Sequence, residues 1–216
     1  KKLFTECLMW LKKSFKNKHM YGSKYGYWSG IAIATLAAIV IKTYFFGNFD
    51  KFKEKIKEID FDKPMSLSGV ININNRNPCD RSIYIGTSTL PYKNTVRTIC
   101  TSTKTLLKEQ LKSCFVIDVP KFTNVLTFYI NGYTDDVLDE CLVWFNGIII
   151  KIFVAIERKC KEILLFPDDG WEYNGLSANW KLMMSMPYSY VDYVAQEIIN
   201  KSRELFTTSS VSFIIK

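Results

Sequence analysis

The sequence predicts an α+β protein: a single N-terminal transmembrane helix, then a small antiparallel or mixed sheet domain with helices on one face. Three observations predict it. Residues 28–46 form an apolar run in which Lys42 is the only charge. The hydrophobic period is helical up to the Pro64 break and becomes two from Met65 onward. Beyond that point, short apolar segments punctuated by Asn, Gly and Pro alternate with amphipathic ones, as strands mixed with helices do.

Residues 2–17 read as a basic amphipathic helix. Leu3, Phe4, Cys7, Leu8, Leu11 and Phe15 recur at helical spacing and lysines fill the remaining arc. Such a helix either lies in a membrane interface, apolar face down, or docks on a protein with the same stripe. Residues 19–26 are a turn-rich link. The apolar run that follows is nineteen residues long, a helix of about 28 Å, close to the hydrocarbon thickness of a bilayer. Lys42 lies one turn from its end, where its stem can snorkel to the headgroups. Tyr25, Tyr27 and Trp28 mark one interface and Tyr44, Phe45 and Phe46 the other. Gly30, Ala34 and Ala38 are small enough to let a second helix approach closely. The anchor set is therefore Trp28, Gly30, Ala34, Ala38, Lys42 and Tyr44. In domain terms, 1–26 is a basic segment, 27–47 the span, 48–64 a juxtamembrane helix and linker, and 65–216 a soluble domain. Within the third of these, Phe49, Phe52, Ile56 and Ile59 give a short amphipathic helix that Asp62-Lys63-Pro64 breaks.

The remainder reads as strands at 65–74, 82–89 and 94–102, a short helix at 104–112, and strands at 113–119 and 125–130. Asn131-Gly132 is a hairpin-type turn signal. Residues 135–145 suit a helix with Val137, Leu138, Cys141, Leu142 and Phe145 on one face. The β-branched run 148–156 suits a central strand, and 162–166 one more. Pro167 to Gly170 is a turn. Residues 171–186, aromatic and methionine-rich without a clean period, suit a packing loop. Residues 188–206 carry the best helical stripe of the soluble part, and 209–215 a final strand.

Catalytic chemistry finds little support. His19 is the only histidine, which removes a Ser-His-Asp or Cys-His system and histidine-based metal sites from the predicted domain. No phosphate-binding glycine motif occurs. Asp135, Asp136, Asp139 and Glu140 open a predicted helix, where acids favour the positive end of its dipole. Asp168, Asp169 and Glu172 surround a turn. Either cluster could in principle bind a divalent cation or do acid–base work, yet capping and turn roles need no further assumption. Cys79, Cys100, Cys114, Cys141 and Cys160 follow the apolar run, an odd number with no C-x-x-C spacing; they are disulfide partners or buried thiols. Trp171, Trp180, Met183 and Met184 are candidates for a protein interface, with core packing as the simpler alternative. No catalytic residue, cofactor or metal is expected.

The net charge is +8, and its distribution matters more than its size. Residues 1–26 hold seven lysines against Glu6, a net of +6; the other 190 residues hold 22 basic and 20 acidic side chains, a net of +2. The basicity belongs to one tail, not to a folded face for nucleic acid. Beside a span it places the N-terminus on the negative side of the membrane. These features suit a non-catalytic, single-pass accessory subunit of a mitochondrial inner-membrane complex, of the respiratory-chain or ATP synthase kind. Its N-terminus would face the matrix and its C-terminal domain the intermembrane space. Its partners would be membrane lipid and the other subunits, with no nucleic acid. The first residue is Lys, which a removed presequence would explain and a missing N-terminal piece would explain equally. The layout (basic start, one span, short helix, small α+β domain) resembles that of mitochondrial import and assembly factors. The alternatives are an anchored ligand- or peptide-binding module of the ER or a viral envelope, and an enzyme built on the acidic clusters.

Overall fold

Helical spacing in the first sixty residues becomes three helices: α1 (Lys2–Asn17), α2 (Gly30–Tyr44) and α3 (Phe49–Lys57). This computed structural model describes residues 1–44, 47–68, 85–86, 95–96, 99–118, 122, 124–159, 163–168, 170–185, 193, 196–197, 200 and 212–215. The chain is a mixed α+β protein that divides into two units, Lys1–Val119 and Pro120–Lys216.

In the first unit, α1 buries Cys7, Leu11 and Phe15 and turns its lysines outward. It ends in a Schellman motif. The Met20 N–H donates to the Phe15 carbonyl at 2.9 Å and the His19 N–H to the Lys16 carbonyl at 3.0 Å, with His19 at φ +53°. Ser29 caps α2, its Oγ accepting from the Ala32 N–H at 3.3 Å. Asn48 caps α3, its Oδ1 accepting from the Lys51 N–H at 2.9 Å. α2 packs against both neighbouring helices and buries Ala32, Ile33, Leu36, Ala37, Ile39 and Val40. An aromatic cluster ties the unit together. Trp10 meets Phe49, Phe52 and Phe115 edge-on at 5.7, 6.1 and 5.6 Å, and Phe15 meets Phe115 at 4.8 Å. Trp28 tilts against Phe15 and Phe61, both at 5.6 Å.

The helix α4 (Thr101–Lys112) closes this unit and begins three residues before its sequence signal, so Thr101 and Ser102 are helical and not the end of a strand. Lys104 and Lys108 on α4 hold Asp62 at 2.8 and 2.7 Å. Their hydrogen bonds pull its carboxyl down to about 2. In the strand expected at 113–119, residues 113–115 instead form the turn that closes α4 and residues 116–118 are irregular. The Phe115 N–H donates to the Gln110 carbonyl at 2.7 Å and the Cys114 N–H to the Leu111 carbonyl at 3.1 Å. Cys114 and Phe115 have φ of +51° and +64°, which no strand permits. Of the two strands expected at 65–74 and 82–89, the described parts are β1 (Met65–Ser66) and β2 (Ile85–Gly86), paired in parallel; the rest of both lies outside the described residues.

The second unit is built on an antiparallel sheet. β3 (Asn124–Asn131), β4 (Leu164–Pro167), β6 (Ser177–Ser185) and β7 (Ser212–Ile215) run in the order β4-β6-β3-β7. β5 (Glu172–Asn174) also pairs with β6, beside its first residues. The expected loop 171–186 is therefore largely a hairpin. Its two-residue turn is Gly175-Leu176, with Gly175 at φ +57°, as a II′-type loop requires at its first position. The helix α5 (Asp135–Lys159) lies on the inner face. It contains both the expected helix 135–145 and the expected strand 148–156. Leu138, Cys141, Leu142, Phe145, Ile149, Phe153 and Ile156 fall on one buried stripe with helical period, and that burial outweighs the β-preference of the isoleucines. Asn131-Gly132 turns the chain from β3 into α5 and makes no hairpin. A β-carbon on Gly132 would lie 2.8 Å from the Leu138 nitrogen, so only glycine fits. The helix expected at 188–206 lies mostly outside the described residues; Tyr193, Gln196, Glu197 and Asn200 are helical.

Candidate functional site

The anchor residues gather in the first unit. Trp28 is fully buried beneath Phe15 and Phe61, in the protein's own core. Ala34 and Ala38 are half-buried on α2. Lys42 Nζ donates to the Leu67 carbonyl. The exposed Tyr44 ring receives Lys55 Nζ at 5.4 Å from its centre. Fifteen residues make α2 about 22 Å long, short of the roughly 30 Å of hydrocarbon. Among the described residues no single helix is long and apolar enough to cross a membrane. Gly30–Tyr44 and Phe49–Lys57 reach the required length and composition together, with their axes 100° apart.

At the N-terminus of α2 a group forms that the apolar reading of this stretch does not single out. The Tyr21 hydroxyl occupies the space beside Gly30: a β-carbon there would lie 2.9 Å from that oxygen and 3.9 Å from Lys12 Nζ. Lys16 Nζ lies 5.2 Å from the Tyr21 ring centre. Lys12 and Lys16 are one turn apart on α1: the Lys12 ammonium lies where the α2 dipole is positive, and that of Lys16 over the Tyr21 ring. The i, i+4 spacing of Lys12 and Lys16 is the sequence signal that points to this group. What the sequence lacks is the turn through Gly22 and Gly26, which brings Tyr21 back beside Trp28.

The proposed interface residues divide between the two faces of the second sheet. Trp180 and Met184 are buried on the inner face. Trp180 stacks on Phe153 at 6.1 Å and donates from Nε1 to the Asp168 carbonyl at 2.8 Å. Trp171 is half-buried, edge-on to Phe145 at 5.3 Å, and donates to Asn146 Oδ1 at 3.2 Å. Met183 is half-buried on the opposite face, paired in register with Val125 and Phe166. Three of the four thus sit by position in or over one aromatic core.

The thiols are placed by burial. Cys7 is fully buried and its pKa is pushed up to about 11, first by desolvation and then by Glu6. Burial also raises the Cys114 thiol, which donates to the Lys53 carbonyl at 3.2 Å, and the Cys141 thiol on the buried face of α5. Cys100 Sγ lies 3.3 Å from Thr103 Oγ1. Cys79 and Cys160 lie outside the described residues. A raised thiol pKa is the opposite of what a nucleophile or metal ligand needs.

The carboxylates serve local structure. Thr134 Oγ1 accepts from the Val137 N–H at 3.3 Å, and Asp135, Asp136, Asp139 and Glu140 stand exposed in the first turns of α5. Glu172 takes a hydrogen bond of 2.8 Å from Lys181, which holds its carboxyl below the usual range. Asp168 lends its backbone to Trp180, and Asp169 is outside the described residues. Among the described residues, no three His, Cys, Asp or Glu side chains form a group able to hold a metal ion. The sequence matches no protein-family model and no curated protein.

Proposed function

We propose that the chain is a non-catalytic accessory subunit of a membrane complex, held at the mitochondrial inner membrane. Its N-terminus lies on the matrix side and its second unit in the intermembrane space. Its partners are membrane lipid and the other subunits of a respiratory-chain or ATP synthase type of assembly. The observation that carries this reading is the juxtaposition of an apolar helix, α2, with a lysine-bearing helix at its N-terminal end. A charge bias of that sign beside an apolar helix holds the flank on the negative side of a membrane. In this reading α2 is the segment that enters the bilayer.

A second reading is favoured by the burial of six α2 residues among α1, α3, β1 and β2. In it α2 is a core helix of a unit bound peripherally to the same membrane. Alkaline carbonate extraction of mitochondrial membranes separates the two. The spanning form stays in the pellet, and protease added outside the inner membrane removes the second unit while sparing α1. The peripheral form is released. Recovery of the untreated chain wholly outside membrane fractions would reject both.

A further inference from the structure

We propose that the lysine face of α1, with the exposed Met9 and Ile31, docks the first unit on an anionic lipid leaflet. This rests on the membrane reading above and names the lipid chemistry that reading leaves open. The apolar stripe of α1 (Cys7, Leu11, Phe15) is turned into the unit's own core. The helix therefore cannot lie apolar side down in lipid, the orientation its sequence suggests. Its opposite face carries Lys2, Met9, Lys12, Lys13 and Lys16 at helical spacing, and Glu6 is the one acid in α1. Met9 is 61% exposed at the centre of that face.

The α2 end completes the surface. Lys12 Nζ and the Tyr21 hydroxyl lie beside Gly30, Lys16 Nζ lies over the Tyr21 ring, and the residue after Gly30, Ile31, is 69% exposed. The Lys12 ammonium beside a positive helix end is unfavourable and a phosphate oxygen next to it relieves that repulsion; Lys16, one turn along α1, adds to the same positive field. Phosphates alone would not separate lipid from nucleic acid. The two exposed aliphatic side chains do. They have no use against a sugar–phosphate backbone, whereas under a headgroup layer they reach the acyl boundary.

The test uses the full chain, sedimented with phosphatidylcholine vesicles with and without phosphatidylglycerol. Expected is binding to the phosphatidylglycerol vesicles that weakens as salt is raised. Each lysine at an anionic surface contributes about fivefold, so Lys12→Gln with Lys16→Gln should weaken binding roughly 20-fold. Met9→Ser with Ile31→Ser should weaken it without changing the salt dependence. Lys51→Gln with Lys57→Gln on α3 should stay close to wild type. All these side chains are exposed or half-buried, and circular dichroism confirms that each variant is folded. Equal binding to neutral vesicles, or indifference to the Lys12 and Lys16 changes, overturns the proposal. So does a DNA duplex that displaces the vesicles and binds the Met9→Ser, Ile31→Ser variant at full strength. If vesicle binding fails while the chain stays in mitochondrial membranes, the docking face falls and the accessory-subunit reading stands. Vesicle binding by a chain recovered from no membrane fraction does the reverse.

Discussion

His19 and Cys114 occupy the same position in two helix ends, the left-handed C′ residue of a Schellman motif. Glycine is the usual occupant because an L side chain in that conformation costs about 1–2 kcal/mol. Both motifs also set a large apolar residue, Met20 or Phe115, against the core at the next position. Neither residue is marked as a cap in sequence, since the usual signal is glycine itself. The lone histidine consequently draws attention as a chemical group, although its place is fixed by backbone geometry. Comparing glycine with alanine at each site cancels the lost imidazole or thiol and leaves the backbone term. His19→Gly should be more stable than His19→Ala by about 1 kcal/mol, and Cys114→Gly than Cys114→Ala by about the same. Urea unfolding of the two pairs measures the differences. Equal stabilities within a pair would mean the left-handed conformation is not held in solution.

Among the elements, α5 shows what periodicity reveals and what composition hides. Its first half is legible because the acids from Asp135 to Glu140 suit a helix start and the apolar spacing is helical. The second half is hidden by a run of isoleucines after Asn146-Gly147, two residues that usually break helices. Nothing local restores the helix there; Phe145, Ile149, Phe153 and Ile156 do, by meeting the sheet. The opposite mistake arises at β6, whose inner face alternates Ala178, Trp180, Leu182 and Met184. That is a clean period of two, obscured in the sequence by the outward-facing Met183 beside Met184. The helices α1, α3 and α4 were legible because each has one apolar stripe and polar remainder. At the head of α2, the lysine arc of α1 was visible and the approach of Tyr21 was not, because a fold-back turn brings it there. Gly147 gives a test at this scale. A β-carbon there would meet nothing within 4 Å, and the residue is exposed. Gly147→Ala should therefore stabilise α5 by about 0.5–1 kcal/mol, by restricting the unfolded chain and favouring helix. A thermal melt reads this as a higher midpoint. A lower one would mean that the helix is interrupted at this residue.

Over the whole molecule, charge and core are both partitioned. The first unit holds 20 basic and 9 acidic side chains, a net of +11, and the second 9 basic and 12 acidic, a net of −3. On the docking proposal, adsorption to an anionic surface would be a property of the first unit, which carries the excess positive charge. Each has its own apolar cluster: Leu11, Phe15, Trp28, Phe52 and Phe61 in one, Phe128, Phe145, Phe153 and Trp180 in the other. Cooperative opening follows contiguous packing, so loss of one cluster should loosen the elements built on it. Leu11→Ala and Phe153→Ala each remove fully buried volume and should cost on the order of 2–5 kcal/mol where they act. Hydrogen exchange read peptide by peptide locates that cost. Leu11→Ala should speed exchange in α1, α2 and α3 and leave β3 and β6 near wild type; Phe153→Ala should do the converse. If either substitution speeds exchange evenly along the chain, the two clusters unfold as one, and the first unit could not carry the proposed lipid contact as an independently folded body.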